Sequence, residues 1–412
     1  MRLTFYGGVK SVTGANYLLE SDKTKILIDC GLHQGGRFSE RQNWDEFPYN
    51  PKDIKAVFIT HSHIDHIGLL PKLYKEGFRG IIHSTTPCKE FSRVLLQDSQ
   101  HILKMEAERR KKPILYEEED IVGLMKLWKG GKYHEPIVVD NFTVNFYSAG
   151  HILGSSIIHI EADNKRIVFS GDLGNSPAPL IGYKEELPET DYCLIESTYG
   201  DRIHEDIAER KDIIEDMIEN VVRSGGTLMI PAFAMERSQQ LLYVIHELIH
   251  DGRVPKIPVF LDSPLAIKLT EIYKRHRSYF SEDVIAEIKP DDPIFSFPGL
   301  KKTLTTMESK AINEVDPPKI IIAGSGMMHA GRILHHLKRH LPDPNSILLI
   351  VGFQAKGSLG RQIYDRRKKV RIHGEDVEVR CRVKAIGGYS AHADQPQLLD
   401  WLRPQRKKLK KV

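Results

Sequence analysis

Two patterns of hydrophobic and polar residues follow one another along the chain. In the N-terminal half, short apolar runs separated by glycine and polar turns predict strands, as at 25–31, 56–59, 142–147 and 166–170. Further along, apolar runs of strand length alternate with stretches of helical periodicity, as at 204–224, 227–230, 237–250, 257–261 and 264–277. This alternation predicts a parallel sheet covered by helices, which is an α/β domain.

The densest cluster of candidate chemistry comes directly after the apolar run at 56–59. Three histidines and one carboxylate fall within six residues there, at His61, His63, Asp65 and His66. The following residues, 67–74, have helical periodicity, so the four side chains occupy a strand-to-helix turn. Imidazole nitrogen and carboxylate oxygen are ligands that suit zinc. A single histidine in a polar turn is usually a surface residue, but this density predicts a metal site.

Other polar side chains stand where predicted strands end. Asp29 ends the strand at 25–31, and His151 and Asp172 follow strands beside glycine, where backbone can approach a metal closely. Glu196 ends an apolar run at 192–195. His151 and Asp172 are each weak evidence alone, but their order and spacing after the histidine turn strengthen the prediction of a metal site.

The turn His61-x-His63-x-Asp65-His66 resembles the signature of the metallo-β-lactamase superfamily. Three further stretches, at 195–200, 324–328 and 390–394, resemble the β-CASP nucleases, a group that includes the endonuclease of the eukaryotic pre-mRNA 3′-end machinery and its prokaryotic homologues. The resemblance covers nearly the whole chain. It implies an α/β fold in which a metallo-β-lactamase αββα sandwich is interrupted by a β-CASP parallel α/β domain. The expected boundaries are 1–200 and 369–412 for the metallo-β-lactamase domain and 201–368 for the β-CASP domain.

The resemblance also implies roles for individual residues. Two zinc ions are expected, and the implied ligands are His61, His63, Asp65, His66, His151 and Asp172. Asp29 is expected to orient the ligand histidines without binding zinc itself. Asp65 would also help to position the attacking hydroxide, and His392 paired with Glu196 would protonate the leaving 3′ oxygen. The residues expected to bind substrate are Ser325, Gly326, Ser390 and His392.

These expectations together predict a zinc-dependent ribonuclease that hydrolyses phosphodiester bonds of single-stranded RNA in RNA processing or decay, with a hydroxide activated by two zincs. Several alternatives stay open: a DNA-directed β-CASP nuclease, a non-catalytic RNA-binding subunit, and a small-molecule hydrolase such as a thioesterase or lactonase. A small-molecule hydrolase would not need the inserted domain, and a non-catalytic subunit would be expected to lack metal ligands. Endonuclease and exonuclease modes are equally open.

Composition indicates what kind of protein this is and in which environment it is expected. With 41% hydrophobic and 28% charged residues, the chain is ordinary for a globular protein. It shows no signal peptide and no apolar stretch of membrane-spanning length, so no membrane partner is expected. The four cysteines are far apart in sequence, which predicts free thiols in a reducing cytoplasm. A second copy of the chain, forming a homodimer, stays open as a partner beside RNA.

Charge is uneven along the chain. The net charge is +4, but the last ten residues carry six positive charges and no acid, so the remainder has 4 − 6 = −2. This basic tail either contacts RNA or is a solvated charge run. In the resembled ribonucleases a further strand, with a histidine ligand to the second zinc, follows the position of Val412. The chain is therefore expected to be truncated before the last zinc-ligand motif, with weaker binding of the second zinc.

Overall fold

The computed structural model describes residues 1–204, 210–288, 293–386 and 390–412. Contacts within the chain divide it into two units. The first comprises Met1–Ile203 and Ala391–Val412, and the second comprises His204–Ser390. The chain therefore leaves the first unit once and returns to it for its last residues.

The first unit is built on two sheets. One has six strands in sequential order, and the other has five in the order β11-β10-β9-β8-β7. The strands of the first sheet are β1 (Arg2–Phe5), β2 (Tyr17–Ser21), β3 (Thr24–Ile28), β4 (Ile54–Phe58), β5 (Ile81–Thr85) and β6 (Trp128–Gly131). Those of the second are β7 (Ile137–Val139), β8 (Phe142–Ser148), β9 (Ser156–Ala162), β10 (Lys165–Phe169) and β11 (Tyr192–Leu194).

Alternating side chains from both sheets form the core between them. Ile26, Ile28 and Phe58 of the first sheet belong to one buried cluster with Phe146 and Ile158 of the second. Because side chains alternate across a strand, the intervening residues face outward and need a second covering layer. Helices supply that layer on both outer faces.

Helices cover the outer faces in a way that completes four layers. They are α1 (Arg37–Arg41), α2 (Ile64–Ile67), α3 (Leu70–Lys75), α4 (Thr86–Arg110), α5 (Glu118–Lys126) and α13 (Gln395–Leu402). Leu70 and Leu73 pack with Leu27 and Val57 of the first sheet, whereas Trp401 of α13 shares a cluster with residues of the second sheet. The predicted αββα sandwich is therefore confirmed.

The second unit has a six-stranded sheet in the order β14-β13-β15-β12-β16-β19, and all its pairings are parallel. Its strands are β12 (Thr227–Pro231), β13 (Val259–Asp262), β14 (Leu300–Lys302), β15 (Lys319–Ala323), β16 (Ile347–Ile350) and β19 (Arg382–Ala385), and β17 (Lys369–Ile372) forms a separate hairpin with β18 (Glu375–Glu378). Its helices are α6 (Arg210–Ser224), α7 (Arg237–His250), α8 (Pro264–Arg275), α9 (Glu282–Glu287), α10 (Thr306–Ala311), α11 (Ile333–His340) and α12 (Leu359–Tyr364). The predicted parallel α/β domain is confirmed.

Local sequence signals explain the helix boundaries well. The Ser263 hydroxyl accepts a hydrogen bond from the Ala266 N–H at 3.3 Å, and Pro264 occupies the first turn of α8, where its missing N–H costs nothing. Helix α7 has the bounds that its periodicity predicts. The predicted helix at 204–224 is observed from Arg210, while 205–209 lie outside the described residues.

The return to the first unit occurs later than the sequence suggests. The resemblance assigns residues 369–412 to the metallo-β-lactamase domain, yet β19 pairs in parallel with β16, and 369–390 group with the second unit. The reason is that the apolar positions of β17, β18 and β19 complete the core of the parallel sheet, as Val370 and Val377 show. The return begins at Ala391, just after 387–389, which lie outside the described residues.

Two other predictions concern the cysteines and membrane-spanning segments. All four cysteines are buried and free, as predicted. Within the described part of the chain, no helix combines the length and apolar character needed to cross a membrane.

Candidate metal centre

The histidine turn is held against the end of strand β3 by backbone hydrogen bonds. The Asp65 carbonyl accepts from the Ala15 N–H at 2.9 Å, and the His66 carbonyl accepts from the Cys30 N–H at 2.8 Å. Gly31 lies so close that a Cβ there would be 1.5 Å from the Asp65 carbonyl oxygen. Only glycine fits this approach, so residues well before the turn in sequence decide its shape.

Four of the predicted ligands bring one atom each to a common point. They are His61, His63, His151 and Asp172, and their candidate ligand atoms all lie within 4.8 Å of one another. The His63 Nδ1 atom is 3.0 Å from His61 Nε2 and 3.2 Å from His151 Nε2. The Asp172 Oδ2 atom is 3.3 Å from His61 Nε2 and 3.6 Å from His151 Nε2.

These separations fit a small tetrahedral ion. Bonds of about 2.0–2.1 Å at tetrahedral angles would separate neighbouring ligand atoms by about 3.3–3.4 Å. The observed separations of 3.0, 3.2, 3.3 and 3.6 Å bracket that value. Since the converging atoms are lone-pair donors, a cation is the partner that satisfies all of them. These four residues therefore form a candidate metal site.

The other two predicted ligands lie beside the first group. His66 Nε2 is 3.6 Å from Asp172 Oδ1 and 3.9 Å from Asp65 Oδ2. Asp172 thus presents one oxygen to each side. Asp65 is not part of a group whose ligand atoms all lie within 4.8 Å, so its placement is looser than that of the first four residues.

A hydrogen-bond chain behind the histidines controls their ring orientation. The buried Asp29 carboxylate accepts from the His66 Nδ1–H at 2.7 Å and from the Thr60 hydroxyl at 2.8 Å. The Thr60 oxygen in turn lies 3.0 Å from His61 Nδ1, where it accepts that N–H. Both rings are thereby left with Nε2 facing Asp172. Sequence reasoning found Asp29 but missed Thr60, although its position directly before His61 was a signal.

The electrostatics of the site favour positive charge at its centre. Burial alone would raise the pKa of Asp172, but His66 and His61 outweigh it and hold that pKa well below its ordinary value. Burial lowers the pKa of His61 and of His151 well below the usual range, so both rings keep free lone pairs. Burial opposes charge on His66 too, yet Asp172 and Asp29 raise its pKa to about 10. The neutral rings of His61 and His151 beside the Asp172 carboxylate suit a bound cation, and the raised pKa of His66 shows that the nearby carboxylates favour positive charge.

The residues returning from Ala391 place His392 beside the ligands. Backbone bonds from the Asn175 N–H to the Ala391 carbonyl at 3.0 Å and from the Ala393 N–H to the Leu173 carbonyl at 2.8 Å fix this segment. The Ala391 carbonyl also accepts from His151 Nδ1–H at 3.1 Å. The last segment of the first unit therefore orients a ligand as well as supplying His392.

His392 lies beside Glu196. Its Nδ1 lies 3.0 Å from Glu196 Oε2 and 3.9 Å from Asp172 Oδ2. The other Glu196 oxygen accepts from the Leu173 N–H at 2.5 Å. Burial works against charge on the ring, but Glu196 and Asp172 prevail and raise the pKa of His392 to about 9. A cavity of about 600 Å³, lined in part by Asp172 and Glu196, opens beside this pair.

Three predicted substrate-binding residues belong to the second unit. Ser325 and Gly326 follow β15, and Ser390 is the last residue of that unit. The Ser325 hydroxyl lies 3.2 Å from the Ala330 carbonyl and closes the loop, and the Gly326 carbonyl accepts from the Gln354 side chain at 3.0 Å. The loop after β15 is thus held by one bond within it and one from Gln354.

Comparison with known proteins agrees with this architecture. Residues 12–192 match the Metallo-beta-lactamase superfamily, 238–363 the Beta-Casp domain, and 376–409 the Zn-dependent metallo-hydrolase RNA specificity domain. Ribonuclease TTHA0252 of Thermus thermophilus is 37% identical over 98% of the chain and 91% of its own length. An RNase J-like protein of Methanocaldococcus jannaschii is 30% identical over 97% of the chain and 89% of its own length.

Two further similarities are more limited. The transcription termination factor FttA of Methanosarcina mazei is 30% identical over 98% of the chain, but the chain spans only 66% of that protein. A crystal structure of a protein of unknown function from Enterococcus faecalis superposes with a TM-score of 0.52 at 13% identity, covering 97% of the chain and 91% of the other. The second likeness concerns the fold alone.

Proposed function

The chain belongs to the β-CASP ribonucleases of the metallo-β-lactamase superfamily and is a metal-dependent ribonuclease acting on RNA, and from this we propose that it hydrolyses single-stranded RNA with two zinc ions. The observation that carries the proposal is the convergence of His61, His63, His151 and Asp172 beside the His392–Glu196 pair. It supports the proposal because it sets a proposed proton donor beside a candidate cation site.

The proposed zinc ligands divide into two sets that share Asp172. His61, His63 and His151 complete the first set, and Asp65 and His66 complete the second. When bound, zinc supplies a nucleophile at neutral pH and neutralises charge on the phosphate. The first set has four protein ligands and the second has three, so we expect the second ion to bind more weakly and to be removed first by a mild chelator.

The chain's own residues then position the substrate and move protons. Asp65 would orient the attacking water, since its carboxylate lies 3.9 Å from His66 on the less enclosed side of the cluster. His392 would protonate the leaving 3′ oxygen, and Glu196 would hold its ring in the required orientation and charge state. Asp29 and Thr60 would keep the ligand rings in place. We propose Ser325, Gly326 and Ser390 as contacts to the RNA backbone.

The alternatives differ in what they require of the site. A non-catalytic RNA-binding subunit would not need both a converging ligand group and an adjacent acid pair. A DNA-directed nuclease would use the same chemistry on a different sugar. Cytoplasmic location, a homodimer and the choice between endonuclease and exonuclease mode stay predictions.

The decisive experiment compares two substrates of one sequence. Zinc-loaded protein is incubated with end-labelled single-stranded RNA and with the matching DNA, and the products are separated as a ladder. We expect cleavage of RNA that disappears when zinc is removed and returns when it is added back. Internal products would indicate an endonuclease, and products growing from one end an exonuclease. Cleavage of DNA but not RNA would contradict the proposal.

A further inference from the structure

A second cavity lies entirely within the second unit. Its volume is about 780 Å³, and strand β19 forms one of its walls. In the described sheet β19 is the last strand and pairs on one side only, with β16. The residues that connect α12 to the β17 hairpin form another wall. None of the residues proposed to bind metal or substrate lines this cavity.

The charge of the lining is one-sided. Five lining residues are basic and none is acidic: Arg366, Arg367, Lys368, Arg382 and Lys384. All five are exposed, and none forms an ion pair with a described residue. Other cations of the same unit do have partners, such as Lys338 with Glu375 at 2.7 Å. The positive charge around this cavity is therefore not neutralised by the chain's described residues.

An aromatic side chain stands among these cations. Tyr364 lines the cavity and is 49% exposed, although a large ring at the end of a helix could have been buried. Its neighbour Arg361 places its guanidinium 5.5 Å from the ring centre and is itself paired with Asp365 at 3.0 Å. The free part of the ring offers a surface on which a planar group can stack.

We propose that this cavity is an RNA exosite, in which the basic residues contact backbone phosphates and Tyr364 stacks on a base of single-stranded RNA. Unpaired cations combined with an accessible aromatic ring are the usual means by which proteins hold single strands without reading their sequence. A polyanionic ligand matches the one-sided charge, and the inference rests on the proposed function in taking single-stranded RNA as that ligand. The exosite would hold a part of the RNA chain other than the bond that is cleaved.

The test compares two triple variants with the same change of charge. Arg367→Gln/Arg382→Gln/Lys384→Gln removes three cations of the exosite. Lys256→Gln/Lys268→Gln/Lys310→Gln removes three exposed cations near β13, α8 and α10, toward the opposite edge of the sheet. Each variant lowers the net charge from +4 to 4 − 3 = +1, so an effect of overall charge would appear in both.

Binding is measured by fluorescence anisotropy of labelled single-stranded RNA over a series of salt concentrations. Parent and variants all carry His392→Ala, which slows hydrolysis during the measurement. We expect the exosite variant to bind at least about tenfold more weakly and its salt slope to be shallower by about 0.7 for each phosphate that the protein no longer neutralises. The control should bind as the parent does. Equal losses in both variants, or an unchanged slope in the exosite variant, would overturn the inference.

The stacking contact has its own test. Tyr364→Leu keeps an apolar side chain but removes the ring, so we expect roughly tenfold weaker binding with an unchanged salt slope. On the parent protein, photo-cross-linking to RNA that contains 4-thiouridine should label peptides carrying Tyr364 or β19. This needs no variant and therefore does not depend on how the substitutions affect folding. Cross-links confined to other regions would refute the exosite.

Failure of the exosite and failure of the proposed function give different results. If wild-type protein cleaves RNA while the exosite variant binds RNA as tightly as its parent, only the exosite is wrong. If wild-type protein cleaves no RNA but the exosite variant loses affinity and its control does not, the proposed hydrolysis is wrong and the exosite stands.

Discussion

Two aspartates, the half-buried Asp172 in the first unit and the buried Asp262 in the second, show how similar side chains serve different purposes. Asp172 is surrounded by histidine nitrogens 3.3–3.6 Å away, from His61, His66 and His151. Asp262, at the end of β13, accepts hydrogen bonds at 2.6–2.7 Å from Thr303, Ser309, Arg332 and His336. At the first carboxylate the neutral rings of His61 and His151 leave lone pairs for a cation, whereas the second carboxylate is already paired with Arg332.

The comparison shows which observation identifies a metal site. Nearby side chains lower the pKa of both carboxyls against the effect of burial, chiefly His66 and His61 at Asp172 and His336 and Thr303 at Asp262. The pKa direction therefore does not distinguish them. The hydrogen bonds do distinguish them. Both oxygens of Asp262 accept short, direct hydrogen bonds from neighbouring side chains, whereas the nitrogen atoms around Asp172 are spaced for an ion between them.

The largest expected effect comes from removing a ligand of the first group. His63→Ala takes away the nitrogen that lies 3.0 Å from His61 and 3.2 Å from His151, so RNA cleavage should fall to background. Bound zinc, measured by native mass spectrometry of the intact protein, should fall with it. Full activity in this variant would remove the basis for a metal mechanism.

The next effect concerns His392, which touches the same cluster without being a proposed ligand. His392→Ala should lower the cleavage rate by about 10²–10⁴, the scale of a general acid. Zinc content should stay at the wild-type level, since the four atoms of the first group are unchanged. Loss of zinc would mean that His392 is a ligand and that its assigned role is wrong.

Asp262→Ala should affect folding and leave zinc content unchanged. The substitution leaves the Arg332 guanidinium and the His336 ring without their buried carboxylate, so the free energy of unfolding should fall by about 3–5 kcal/mol. Denaturant titration measures this loss. Asp212→Ala, which removes an exposed partner of Arg253, is the control and should cost about 0–1 kcal/mol. Equal costs would contradict the contrast between the two sites.

Glu236 extends the comparison to a buried carboxyl that accepts hydrogen bonds from neutral side chains. Tyr273 donates to it at 2.5 Å and Gln240 also donates, while burial, only partly offset by these bonds and by Arg237, raises its pKa to about 7. The folded state holds this proton more tightly than the unfolded chain, so stability should fall as pH rises.

The expected loss from Glu236 is about 3 kcal/mol in the free energy of unfolding, spread between pH 4.5 and about 7. Glu236→Gln keeps the shape and a hydrogen-bonding group without the charge, so it should remove this part of the pH dependence and stabilise the protein at alkaline pH. Denaturant titrations of both proteins across this range measure it. Parallel stability curves would show that Glu236 does not titrate there.

The smallest expected effect comes from Asp29, which contacts a proposed metal ligand without being one. Asp29→Asn weakens the hold on His66 and Thr60 without removing a proposed ligand, so zinc affinity should fall by about 10–100-fold. Competition with a chromogenic chelator measures it, and His63→Ala provides the upper limit. A loss as large as that of His63→Ala would make Asp29 as important as a direct ligand.

Much of the molecule could be predicted from the sequence because it depends on local order. Periodicity predicted strands in the first unit and the parallel α/β domain of the second, while the family resemblance implied the αββα sandwich, and helix α7 has its predicted bounds. The spacing of His61, His63, Asp65 and His66 predicted a metal turn, since residues so near in sequence must lie near in space. His151, Asp172, Glu196 and His392 were assigned through the family's motifs and lie together in the structure.

Partners distant in sequence were decided only by the tertiary structure. In the basic run at the C-terminus, Lys408 pairs with Glu189 at 3.3 Å and Lys410 with Asp191 at 3.0 Å, and nothing in the sequence indicated either pair. The charges near Tyr364, scattered over two segments of sequence, instead line one cavity. A sequence determines how many charges, donors and apolar faces must be satisfied. Which of them meet depends on chain packing, because a contact between distant segments exists only once the sheets that carry them have formed.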